Sequence, residues 1–120
     1  MAYSGEERRR HPRIRANFIV AYRVLEEADN VDTSQTKNFS MGGILITTNR
    51  CFEKGTNLAL KIRLPFDLEP IEVIGKVVES CEIVKDLIYD TRVEFSSVSQ
   101  RHHGPMSQTV DYYLKKKGKT

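Results

Sequence analysis

The chain has 120 residues, enough for one domain with a single core and too few for two. Its formal net charge of +3 is unevenly spread. Arginines crowd the first residues, lysines the last, and the body between is net acidic, which argues against a surface that binds nucleic acid polymers throughout and leaves the two ends to meet any anionic partner. No run approaches the roughly 18 apolar residues of a membrane helix.

The polar segment 1–15 has no apolar stretch of the secretory kind, so a cytoplasmic protein without membrane insertion is expected. Phe18, Val20, Tyr22 and Val24 then alternate with Ile19, Ala21, Arg23 and Leu25, the period of a first strand. Residues 26–35 are acidic and polar and read as a loop. Residues 37–48 read as strand, turn and strand, with the turn at Ser40, Met41, Gly42 and Gly43. Cys51 precedes a turn at Glu53, Lys54 and Gly55; it and Cys81 lie far apart without Cys-x-x-Cys spacing, so both are expected as reduced thiols. Leu58, Leu60, Ile62 and Leu64 form the cleanest alternating strand, which Pro65 to Pro70 interrupts. Residues 71–84 predict a long strand with Gly75 as a bulge site. After a tight turn at Lys85 and Asp86, Leu87, Tyr89, Thr91, Val93 and Phe95 share a face. A polar connector, 96–104, leads to Pro105 and a helix over about 105–117, in which Met106, Val110, Tyr113 and Leu114 form the apolar stripe. Lys115, Lys116 and Lys117 suit the helix C-terminus, and Gly118 ends it. The expected fold is mainly β: a six-stranded antiparallel barrel (residues 17–120) with a C-terminal helix, preceded by a flexible arginine-rich arm (1–16).

Two short motifs carry chemistry. In Arg8-Arg9-Arg10-His11-Pro12-Arg13, the proline holds His11 extended, so the segment is an arm and not a helix. Its guanidinium forks match phosphate oxygens and the O6 and N7 edge of guanine, although a basic terminus is also a common solvated tail. In Asn38-Phe39-Ser40-Met41-Gly42-Gly43, alternation sends Asn38 and Ser40 to one face and Phe39 to the other. The glycines allow positive φ or a close backbone approach, and an ordinary hairpin turn would show the same residues. His11, His102 and His103 have no acidic or thiol partner at ligand spacing, and no nucleophile–base pair or Gly-x-x-x-x-Gly-Lys loop is present. Neither a metal site nor an enzyme is therefore expected.

Taken together, Arg9-x-x-x-Arg13 before a first strand and Asn38-x-Ser40-x-x-Gly43 some 25 residues later resemble the PilZ domain family. The likeness runs on through the strand series, Val93-Glu94-Phe95 and the helix. It implies a six-stranded barrel and a bacterial, non-enzymatic second-messenger receptor for cyclic di-GMP, with no cofactor. Arg9 and Arg13 would grip phosphates and guanine, Asn38 and Ser40 would hydrogen-bond a second guanine, and Gly43 would shape the turn. Arg8 resembles the family variant that binds an intercalated pair of ligand molecules. The arm would order over the barrel mouth on binding and signal to a separate protein. Two positions depart from the family pattern: Arg92 replaces a common glycine, and no tryptophan stands near Glu79 to cover the purine. The alternatives are a PilZ-like adaptor that no longer binds nucleotide and a barrel that binds single-stranded nucleic acid, which would need aromatics along a basic groove.

Overall fold

The computed structural model describes residues 11–27 and 30–118. Seven strands follow in order: β1 (Ile14–Arg15), β2 (Ile19–Val24), β3 (Asp32–Phe39), β4 (Gly43–Thr48), β5 (Asn57–Ile62), β6 (Ile71–Val84) and β7 (Ile88–Val98). A 3₁₀ turn (Gln100–His102) then leads into helix α1 (His103–Gly118). All pairings are antiparallel. The ring β3-β2-β5-β6-β7-β4 closes by pairing β4 back onto β3, and β1 adds to β3 where β2 leaves off. Closure removes the free edges that an open sheet would present.

Alternation decides which side chains fill the barrel. Val20, Tyr22 and Val24 point inward from β2, Ile44 and Ile46 from β4, and Leu58, Leu60 and Ile62 from β5. Each such aliphatic contributes about 1.5–3 kcal/mol when fully buried. Phe18 and Phe39 meet edge-to-face at 5.5 Å, and Tyr113 of α1 closes on Phe18 at 5.7 Å, so the helix covers one end. Its buried residues are Met106, Thr109 and Val110; Thr109 returns its hydroxyl to the Pro105 carbonyl at 2.8 Å.

Several expectations need correction. The segment 26–35 is not all loop, because β3 starts at Asp32 and Ile19 to Tyr22 pair with Gln35 to Asp32. These polar residues are held by the backbone ladder instead of by burial. β7 extends to Val98, so the 96–104 connector is shorter than expected, and the helix starts two residues before Pro105. Leu87 lies in the turn and is exposed, as is Leu114. The end of the arm is not free: Ile14 and Ala16 are buried and β1 is part of the sheet.

One buried hydroxyl fixes that end. Thr36 Oγ1 accepts the Phe18 N–H at 2.9 Å and donates to the Ala16 carbonyl at 2.6 Å. Asn17 Nδ2 donates to the Thr36 carbonyl at 2.9 Å, and the Thr36 N–H donates to the Phe18 carbonyl at the same distance. The turn between β1 and β2 is therefore clamped to β3, and Arg15 comes to lie opposite Asn38.

Candidate ligand-binding site

The clamp carries the motif residues together. With Ile14 opposite Phe39 and Arg15 opposite Asn38, the arm leaves β1 beside the β3–β4 turn, and Arg13 reaches a cleft of about 640 Å³. His11, Arg13, Asn38, Ser40, Gly42 and Gly43 line one side, and Val78, Arg92, Glu94 and Phe95 the other. That volume is within the range of small-molecule sites. Thr91 and Val93 are buried, so Arg92 and Glu94, which alternate with them along β7, project from the outer wall of the barrel. The cleft lies against that wall, beside the turn.

Ser40 builds the turn. Its Oγ accepts the N–H groups of Gly42 and Gly43, each at 3.1 Å, while its own N–H donates to the Gly43 carbonyl at 2.9 Å. Phe95 N–H donates to the Gly42 carbonyl at 2.8 Å and ties the turn to β7. Gly43 is required by space and not by φ, since among the described residues only Gly55 is a glycine at positive φ. A Cβ on Gly43 would stand 2.3 Å from the Val93 carbonyl oxygen, and one on Gly42 would stand 2.5 Å from the His11 ring. Phe39 turns inward onto Phe18 and Phe95, which leaves Asn38 facing the cleft.

Val78 stands at a register break. Alternation along β6 leaves Val77 in the core and Val78, 37% exposed, on the cleft wall, and the β6–β7 pairing slips between Val77 and Glu79. The expected irregularity at Gly75 is also present, as a slip between Ile74 and Gly75. Lys37 and Asp90 form an ion pair at 2.7 Å on the flank. Farther along β6, Cys81 donates its thiol to Glu79 Oε2 at 2.8 Å. That hydrogen bond, together with desolvation and the nearby carboxylates, pushes the Cys81 thiol above its ordinary pKa.

Of the sequence-derived site residues, Arg13, Asn38, Ser40 and Gly43 converge on one cleft, and Arg8 and Arg9 lie outside the described residues. Arg92, singled out as a departure, stands in the cleft opposite Leu45 of β4 and Glu79 of β6. Glu94, Val78 and His11 also line the cleft without being singled out by the sequence motifs as ligand residues; for His11, its place inside the arginine motif is the available signal. His102 does not face a site: its Nε2 accepts the Glu72 N–H at 3.4 Å. Among the described residues no group of His, Cys, Asp and Glu is arranged to hold a metal ion, and no helix is long and apolar enough to cross a membrane.

The chain thus forms a small closed antiparallel barrel with a cleft on its wall, lined by Arg13 and Arg92, between the β3–β4 turn and the last two strands. The family model for the PilZ domain matches residues 7–113, and the chain belongs to that family. Solved structures agree in fold. The inhibitor of motility from Bacillus subtilis (MotI/DgrA) superposes with a TM-score of 0.73 at 22% identity, covering 93% of this chain and 52% of that one. The PilZ domain of YcgR from Escherichia coli, solved with c-di-GMP, gives 0.66 at 14% identity, covering 91% and 93%. The MrkH–c-di-GMP complex from K. pneumonia gives 0.69 at 17%, covering 93% and 55%. The chain thus spans about half the length of MotI/DgrA and of MrkH. No curated protein matches it in sequence.

Proposed function

We propose that this domain is a non-catalytic receptor for cyclic di-GMP. The observation that carries the reading is the convergence of Arg13, which precedes β1, with Asn38 of β3 and the Ser40–Gly43 turn on one open cleft. Membership of the PilZ family supports it, as do the c-di-GMP complexes of two similar folds. In this reading Arg13 and Arg92 attract the phosphates and the O6/N7 edge of guanine, and Arg8 and Arg9 join them from the arm. Asn38 presents an amide that both donates and accepts, suited to a base edge. Ser40 acts through the turn, by aiming the Gly42 and Gly43 backbone. Arg8 is the residue that would admit an intercalated pair of ligands. Ordering of the arm changes the surface near the cleft and is the signal handed to a separate downstream protein in the bacterial cytoplasm.

Calorimetric titration with cyclic di-GMP, with GTP and cyclic di-AMP as controls, tests this. Saturable binding to cyclic di-GMP alone is expected, and its stoichiometry reports what Arg8 does. Arg13→Ala should weaken binding by about 1–3 kcal/mol, the loss of a charge-assisted contact. Absence of heat and of thermal stabilisation would instead favour a PilZ adaptor that acts through protein contacts alone.

A further inference from the structure

The cleft contains a residue that a phosphate site does not need. Glu94 is the one carboxylate among the described residues that line it, and it projects on the same face as Arg92, one pleat repeat, or about 7 Å, along β7. Its register partners are Gly43 on β4 and Lys76 on β6, yet its side chain makes no ion pair or hydrogen bond among the described residues. It is therefore not neutralised by the lysine across the strand. Close packing at Gly43, whose absent Cβ would lie 3.2 Å from Glu94 Cα, brings the Glu94 backbone against the β3–β4 turn, and Glu94 lines the same cleft as Asn38 and Ser40.

A free carboxylate weakens the hold of a site on phosphate, so its presence needs a different partner group. Guanine supplies one. Its N1–H and N2–H donors lie side by side and match the two oxygens of a carboxylate, as the O6 and N7 acceptors on its other edge match a guanidinium. Adenine has no N1–H; its N1 lone pair would face the carboxylate and be repelled. The same residue thus attracts one purine and rejects the other, which is how specificity is built from a contact and a clash.

We infer that Glu94 is a base-selecting residue that binds the N1–H/N2–H edge of a guanine and discriminates against adenine dinucleotides. This rests on the receptor reading above. The test is calorimetry of wild type, Glu94→Ala and Glu94→Gln against cyclic di-GMP, cyclic di-AMP and cyclic di-IMP, whose hypoxanthine lacks the N2 amino group. Melting curves of the free proteins confirm that each variant is folded, and the near-isosteric Gln variant keeps the test usable if Ala perturbs the strand. Glu94→Ala should lose about tenfold or more in affinity for cyclic di-GMP, the scale of one charge-assisted contact. Its affinity for cyclic di-AMP should hold or rise. Wild type should discriminate cyclic di-GMP from cyclic di-IMP, and Glu94→Ala should not. Should wild type bind cyclic di-GMP while Glu94→Ala binds it equally well with unchanged selectivity, the Glu94 assignment fails and the receptor reading stands. If wild type binds no cyclic di-GMP, both fall.

Discussion

At the scale of single residues, the site depends on the space left by one absent side chain. Gly43→Ala would drive a Cβ into a backbone carbonyl, which cannot rotate away as a side chain can. Overpacking of this kind costs about 1–3 kcal/mol. Chemical denaturation should show that loss, and ligand affinity should fall with it, because the same shift moves the turn; Gly42→Ala, which meets only the His11 ring, should be milder in both. Cys81 offers a chemical readout of the cleft flank. Its thiol is held above its ordinary pKa first by the hydrogen bond to Glu79, so the reactive thiolate appears only at higher pH. Alkylation followed by mass spectrometry should therefore set in at higher pH than for a free cysteine, and Glu79→Gln should shift the onset back down. Asn38, Ser40 and Gly43 were legible in the sequence because strand alternation and a fixed turn relate them locally. The second role of Ser40, receiving two amides, was not, since it follows from how the turn closes. Nor was the site role of Glu94, which depends on the register between β4 and β7.

At the scale of elements, β1 is two residues long and carries the arm's approach to the site, so its stability comes from Thr36 more than from its own ladder. Thr36→Val keeps the shape but leaves the Phe18 N–H and the Ala16 carbonyl without that hydroxyl. Orphaning buried groups costs about 1–3 kcal/mol. Denaturant midpoints should drop accordingly, and amide exchange at residues 14–18 should rise more than exchange in β5, the sign that the arm's anchor has loosened. The strands β2, β4 and β5 were readable from alternation because each buries every second residue, and β6 does so over its first half, Ile71 to Val77. The first half of β3 was not, because Asp32 to Gln35 are polar and are recruited by backbone pairing alone. The break at Val78 was equally hidden: a bulge is set by what the neighbouring strand does.

At the scale of the whole molecule, the cleft draws on His11 and Arg13, on the end of β3 and its turn into β4, on Val78 of β6 and on residues 92–95 of β7, which meet only when the barrel is closed. A ligand of this site binds the folded chain and not the unfolded one. At a hundred times its dissociation constant it should add about 2.7 kcal/mol to stability and raise the melting temperature by several degrees. Scanning calorimetry at rising ligand concentration checks this, and an unmoved transition despite measured binding would mean that the site forms without the barrel. The strand series and the C-terminal helix were visible in the pattern of apolar residues, and the position of the turn in its serine and glycines. The wall as the seat of the cleft was not, because it depends on which face of β7 the closed ring leaves outside. That outward bulge at Val78 has a practical consequence. The chain contains no tryptophan, so an indole introduced there would be its sole emitter of that kind, placed where a bound purine would stack on it and quench its light. The fold thus provides a dark background and one vantage point for an optical gauge of ligand binding in the cleft.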